Sequence, residues 1–406
     1  MSVTDISPEN EILNYIQQLT ETKKGLPSGQ PVCVLASHTI TDTEALVQFA
    51  EEVGPHIAIL KVQADIVDDW SNHTIDQLTY LSKKHGFILW EGSRVLNSLI
   101  NFMGRDSTNW DQRKVQADMI KRNYTNGPVK VGRWAGMATA WAPGAPVDKQ
   151  EEDVLIPTLR KAAREAVAST YKTIQTEISA ADSEDGPEEH ISEQTPTTNG
   201  WPEFSSNNGV SMRKQSTISV TETITLQPHV QPEDGVPPPP LLARGLVLSL
   251  PNAGGTAFKP EFRQSTIAAA CSNRDFVVGF LTSEPYFTEY HGNNVMELAF
   301  LDEPQGAKGR NLLASSHLLE MRNSLGLFSL ISAEMGANFD SDPVHILNSD
   351  QDAPEAQPET VMKLNYIIRQ ALRLRDANRK DKEVNKEETS IPPGPNIVHC
   401  PIVILP

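Results

Sequence analysis

The chain has 406 residues, more than one ordinary domain needs but suited to a single large α/β barrel carrying an insertion. Lys and Arg number 35 against 52 Asp and Glu, so the net charge is 35 − 52 = −17, and so acidic a surface argues against nucleic acid or an anionic membrane as a partner. Apolar runs such as Gly245 to Leu250 fall far short of the ~20 residues that cross a bilayer, which excludes a membrane-spanning helix.

In chain order, residues 1–10 are polar and acidic, without the basic and then apolar regions of a signal peptide, which points to the cytosol. Strand-length apolar runs then recur at 32–37, 57–62, 87–91, 133–139, 245–250, 276–282, 296–301 and 327–332. Between the first two, Thr41-Asp42-Thr43-Glu44 is a capped helix start with an acidic first turn, followed by Ala45, Leu46 and Phe49 at helical spacing. Residues 71–84 repeat this with Ile75, Leu78 and Leu81, and 106–124 and 154–176 read as longer helices. Near-continuous apolar strands alternating with helices imply a parallel sheet covered on both faces. Eight such units predict a (β/α)8 TIM barrel with its site at the C-terminal ends of the strands. Cys33, Cys271 and Cys400 are scattered, fit a reducing compartment and have no metal-ligand spacing, so no metal or cofactor is expected.

One stretch departs from the alternation. From 180 to 240 the composition turns to Ser, Thr, Glu, Gln, Asn and Pro, ending in Pro237-Pro238-Pro239-Pro240, too poor in apolar surface to offset the entropy of ordering. Residues 217–226 are its strand-like piece, alternating Ile and Val with Thr and Ser. The expected organisation is a first part of the barrel over 1–179 with strands one to four, and a disordered insertion over 180–240. Strands five to eight follow over 241–376, with a flexible C-terminal tail over 377–406. That tail ends in the apolar Ile402-Val403-Ile404-Leu405, suited to docking onto the barrel or a partner.

Three stretches in order carry a resemblance. They are Val32-Cys33-Val34-Leu35, then Ile59-Leu60-Lys61-Val62-Gln63-Ala64-Asp65-Ile66, then Phe87-Ile88-Leu89-Trp90-Glu91. Trp134-Ala135 and Arg274-Asp275-Phe276-Val277-Val278-Gly279-Phe280 support them. Together they resemble orotidine 5′-phosphate decarboxylase of the fungal type, over roughly residues 9–178 and 241–376. The resemblance implies a homodimeric barrel acting on a small molecule, and family members from filamentous fungi also carry an insertion before the fifth strand.

The family's chemistry is carried by Asp-x-Lys-x-x-Asp after the third strand, where the lysine protonates a carbanion left by carbon dioxide. Here that window reads Gly92-Ser93-Arg94-Val95-Leu96-Asn97: both carboxylates are gone and the cation is a guanidinium, a poor proton donor at neutral pH. The aspartate closing the first strand aligns with Ser37, and of the charged set Lys61 is unchanged. Residues 330–335 align with the segment that holds the family's phosphate-gripping Gly-Arg-Gly, with no arginine between Arg322 and Arg369. A pyrimidine-contacting serine aligns near Ala253 and a histidine near Trp141.

The candidate catalytic residues are therefore Lys61 and Arg94, and the candidate substrate-binding residues are Ser37, Trp90, Asn97, Trp141 and Asn252. Arg94 is suited to steering a carboxylate, polarising a carbonyl or covering the barrel mouth, and Lys61 to pairing with Glu91 on the neighbouring strand. Losing charges while gaining two tryptophans fits an apolar or aromatic ligand. The leading reading is a cytosolic homodimer repurposed for a less charged metabolite, in a cyclisation, isomerisation or pericyclic (Diels–Alder-type) step of a fungal secondary pathway. A non-catalytic pseudoenzyme or regulatory binding protein, and a residual decarboxylase of pyrimidine biosynthesis, stay open beside it.

Overall fold

A computed structural model describes residues 10–97, 110–141, 153–171, 232–233, 235–251, 260–282, 325–331, 357–383 and 398–405. Eight parallel strands close into a barrel in chain order: β1 Cys33–Ala36, β2 Ile59–Val62, β3 Ile88–Glu91, β4 Met137–Trp141, β5 Gly245–Leu250, β6 Val277–Thr282, β7 Gly326–Leu330 and β8 His399–Leu405. Helix α1 (Glu11–Thr22) precedes β1. Between strands lie α2 (Thr43–Val53), α3 (Asn72–His85), α4 (Trp110–Asn126) with the one-turn α5 (Val131–Trp134), α6 (Leu155–Tyr171), α7 (Pro260–Cys271) and α8 (Glu359–Glu383). This is a (β/α)8 TIM barrel. Among the described residues no helix is long and apolar enough to cross a membrane.

Local chemistry explains the first units. Asp42 caps α2 by accepting a bond from the Ala45 amide, and Ser71 and Thr74 cap α3 reciprocally. Gly86 ends α3 in the left-handed region, φ 65°, which lets the chain turn directly into β3. The fourth strand lies farther along than the 133–139 expectation. Residues 131–134 form α5 because Trp134 is drawn into the layer between barrel and helices, its Nε1 donating to the Val129 carbonyl and its ring 5.1 Å from Trp70.

The end of the barrel corrects the sequence-based assignment. The run at 327–332 is the seventh strand, not the eighth, and 296–301 lies outside the described residues. The eighth strand is His399–Leu405, which pairs with β7 on one side and, through Cys33↔Ile402 to Ala36↔Leu405, with β1 on the other. Residues 399–405 are thus barrel wall and not part of a flexible tail. Pro401, which brings no ladder donor, and the prolines at 392–395 made the segment read as a tail. Closure leaves no free edge, and the buried Ile402, Val403 and Leu405 supply the apolar area that holds the strand in place.

Two apolar clusters form the core. One lies between strands and helices; the other fills the barrel interior with Cys33, Ile59, Ile88, Trp90, Met137, Val247, Phe328, Cys400 and Ile402, and is closed at its N-terminal end by Ile12, Leu13, Ile16 and Leu19 of α1. Residues 1–170 and 228–406 form one compact unit, and the other, residues 171–227, lies outside the described residues apart from Tyr171. The described part of the expected insertion is ordered. The Glu233 amide donates to the Lys84 carbonyl at 3.0 Å, Tyr15 Oη donates to the Pro237 carbonyl at 2.9 Å, and Pro239 is buried. A rigid proline run loses little entropy on docking, so poverty in apolar side chains did not keep it off the barrel.

Candidate functional site

Side chains alternate along a strand, so the inward set can be read from the interior cluster toward the C-terminal ends. It comprises Leu35 on β1, Lys61 on β2, Trp90 on β3, Thr139 on β4, Ser249 on β5, Leu281 on β6, Leu330 on β7 and Ile404 on β8, while Trp141 at the end of β4 packs against the cluster between strands and helices. Trp90 is fully buried; its Nε1 donates to Thr139 Oγ1 at 2.9 Å and its ring meets Phe328 edge-on at 5.0 Å. It floors the mouth. Above it the wall is mostly apolar, with Leu330 and Ile404 42% and 36% exposed. No inward strand residue of this set is a carboxylate.

Lys61 is the one ionisable member of the set. It is buried, with Nζ 4.0 Å from the centroid of the Trp90 ring, a cation–π contact. Burial pulls its pKa down to about 8, with Cys33 and Glu91 acting in the opposite sense. The expected ion pair with Glu91 does not form. Glu91 follows Leu89 on the outward face of β3, where Oε1 accepts a bond from the Val95 amide at 3.2 Å and Oε2 is buried without a hydrogen-bond partner. Burial raises the pKa of Glu91 to about 7, against the backbone bonds from Val95 and Ser93.

The turn after β3 is committed to holding itself together. Asn97 Nδ2 donates to the Ser93 carbonyl at 2.7 Å and to the Thr139 carbonyl at 3.3 Å, and its Oδ1 accepts from the Trp141 amide at 3.0 Å. The carboxamide thus staples the turn to β4. It also secures Ser93, a non-glycine residue in the left-handed region at φ 79°, a conformation that costs about 1 kcal/mol. Arg94 is exposed and pairs through Nε with Asp65 Oδ2 at 3.0 Å, tying the turn to the end of β2. At Gly92 a Cβ would lie 2.9 Å from the Val62 carbonyl oxygen and 3.0 Å from Gln63 Cα. The β2 backbone has closed over that position.

Among the other candidates, Ser37 sits buried at the end of β1, its amide donating to the Leu405 carbonyl and its Oγ accepting from Thr39 N at 3.3 Å and Thr39 Oγ1 at 3.0 Å. Asn252 lies outside the described residues. The structure therefore brings Lys61 and Trp90 to one face, while Trp141 packs against the strand–helix layer and Asn97 and Arg94 serve the turn. Thr139, Leu330, Ile404 and Asp65 were missed; for the strand residues, the signal was the period-two alternation through 137 and 139 and through 400, 402 and 404.

No family model matches the chain. It is 23% identical over 305 residues to an orotidine 5′-phosphate decarboxylase of Sordaria macrospora, covering 68% of each chain. A second such protein, from Hypocrea atroviridis, is 23% identical over 324 residues, 74% of this chain and 79% of the relative. One from Penicillium nalgiovense is 28% identical over 129 residues, 32% of this chain and 38% of its own. The chain is thus similar to fungal orotidine 5′-phosphate decarboxylases at 23–28% identity. Topology revises one part of that likeness. Residues 330–335 begin at the end of β7, so they are not the counterpart of the decarboxylase phosphate grip after the eighth strand. The decarboxylase signature window, by contrast, follows β3 as expected.

Proposed function

We propose that this decarboxylase-like chain no longer decarboxylates orotidine 5′-phosphate and binds a less charged, largely apolar small molecule at the barrel mouth. The observation that carries the reading is the inward set itself: Leu35, Leu281, Leu330 and Ile404 around one ammonium among the described residues, over a floor of Trp90 and Phe328. A decarboxylase of this family works through a carboxylate–lysine network. Here Gly92 leaves no room for a side chain, Asn97 spends its amide on the turn, and Arg94 is paired with Asp65.

Such a mouth suits chemistry driven by shape. Holding a flexible substrate in its reactive conformation can supply several kcal/mol of the barrier, which fits a cyclisation, isomerisation or pericyclic step in a fungal secondary pathway. A cytosolic homodimer acting on a small-molecule substrate completes the proposal.

Complementation of a uracil-requiring decarboxylase mutant tests it. No growth is expected without uracil from the native chain, nor from Gly92→Asp/Arg94→Lys/Asn97→Asp, because the new Cβ at 92 meets backbone and the Asn97 staple is lost. Robust growth from the native chain overturns the reading.

A further inference from the structure

Among the described residues two lysines are buried, and their surroundings are opposite. Lys23, at the N-terminal end, directs Nζ at the carbonyls of Gly54 (2.8 Å), Ile57 (2.6 Å), His85 (2.6 Å) and Gly86 (3.4 Å). Every N–H has an acceptor, as a structural cation requires. Lys61, at the mouth, makes neither a hydrogen bond nor an ion pair among the described residues. Its nitrogen rests on the Trp90 face, which positions it without capturing its lone pair. Burial of this side chain disfavours the charged form, and that cost is relieved when the amine is neutral or covalently engaged.

We propose that Lys61 is a nucleophilic amine that takes an aldehyde or ketone with an apolar body as a Schiff base. This rests on the reading of the mouth as a site for an uncharged ligand and deepens it. The lowered basicity of Lys61, about 8 through burial, leaves an appreciable fraction unprotonated near neutrality. In the step, the Nζ lone pair forms a C–N bond to the carbonyl carbon as the C=O π bond opens onto oxygen. The carbinolamine then takes a proton from solvent and loses water, giving a protonated imine. The sum is carbonyl plus amine plus one proton to iminium plus water, with no change of oxidation state. An iminium acidifies the adjacent C–H bonds, which is the activation that isomerising or cyclising a carbonyl compound needs. Leu330 and Ile404 supply an open apolar wall at the same mouth for the body of such a ligand.

The test treats the full chain with benzaldehyde and sodium cyanoborohydride at about pH 7.5, well below the ~10.4 of ordinary lysines, and maps N-benzylation by peptide mass spectrometry. Lys61 is expected to be labelled several-fold faster than the exposed Lys161 and Lys114. Lys61→Met, which keeps the core apolar, and Lys61→Arg, which keeps the charge, should remove that label while circular dichroism stays native. Labelling confined to exposed lysines, or reaching Lys61 only in denaturant, overturns the Schiff-base proposal. A parallel titration with uridine monophosphate separates the two readings: micromolar affinity sinks the uncharged-ligand site beneath it, whereas no nucleotide binding together with an unlabelled Lys61 sinks the Schiff base alone.

Discussion

The two ends of the barrel treat buried charge in opposite ways. At the N-terminal end Lys23 faces four carbonyls, and the buried His85 lies between carboxylates, Nδ1 2.6 Å from Glu233 and Nε2 3.3 Å from Glu51, which also pairs with Lys84. At the C-terminal end Lys61 meets an aromatic face and Glu91 keeps one oxygen unpartnered. Both lysines are less basic than usual, about 7 and about 8, because both are buried. Basicity therefore does not distinguish them; partner geometry does. A saturated charge stitches α1, α3 and the stem of the insertion together, and an unsaturated one is left available for chemistry.

The sharpest way to break this contrast is to remove each lysine in turn. Lys23→Met strands four carbonyls at a sealed end and should lower unfolding free energy by about 3 kcal/mol or more, whereas Lys61→Met should leave it within about 1 kcal/mol of the parent or above it. Chemical denaturation measures both, and equal losses would erase the distinction. A second comparison concerns the stem. Replacing residues 183–231 by a short Gly/Ser linker should leave the thermal midpoint nearly unchanged, but extending the deletion through Pro240 removes Glu233, Pro237 and the buried Pro239 and should cost about 2 kcal/mol. A midpoint equally low in both deletions would show that the missing stretch itself supports the barrel.

The smallest effect is in pH dependence. Glu91, raised from 4.5 to about 7, binds more protons folded than unfolded across that window, so its contribution is full below about pH 4.5 and is lost as pH rises toward 7. Glu91→Gln should flatten that decline, by up to about 2 kcal/mol, seen in denaturation midpoints at pH 5 against about pH 8. An unchanged slope would place the titration elsewhere.

Strand positions 1 to 3, 5 and 6 and the caps at Asp42 and Ser71 were legible because each is a local signal: an apolar run of strand length, or a hydroxyl or carboxylate ahead of a helical pattern. Position 4 was displaced because Arg133 to Ala135 look strand-like until Trp134 finds Trp70. β8 was hidden because Pro401 and the prolines before it are turn-like locally, while its reason for pairing lies hundreds of residues away on β1. Misplacing β8 also misplaced the phosphate grip, an error of register that no single residue could reveal.

At the site, composition identified which groups had changed, since Gly92, Arg94 and Asn97 are plain in the chain. What those groups do is a matter of partners distant in sequence. Asn97 bonds β4, Arg94 reaches Asp65, and Lys61 lies against Trp90 and not Glu91, because the pleat sends neighbours on β3 to opposite faces of the wall. Periodicity and capping act over a few residues and survive in the bare chain. Whether a buried charge is paired depends on which strands the closed barrel sets side by side, and that follows from the burial of the whole core.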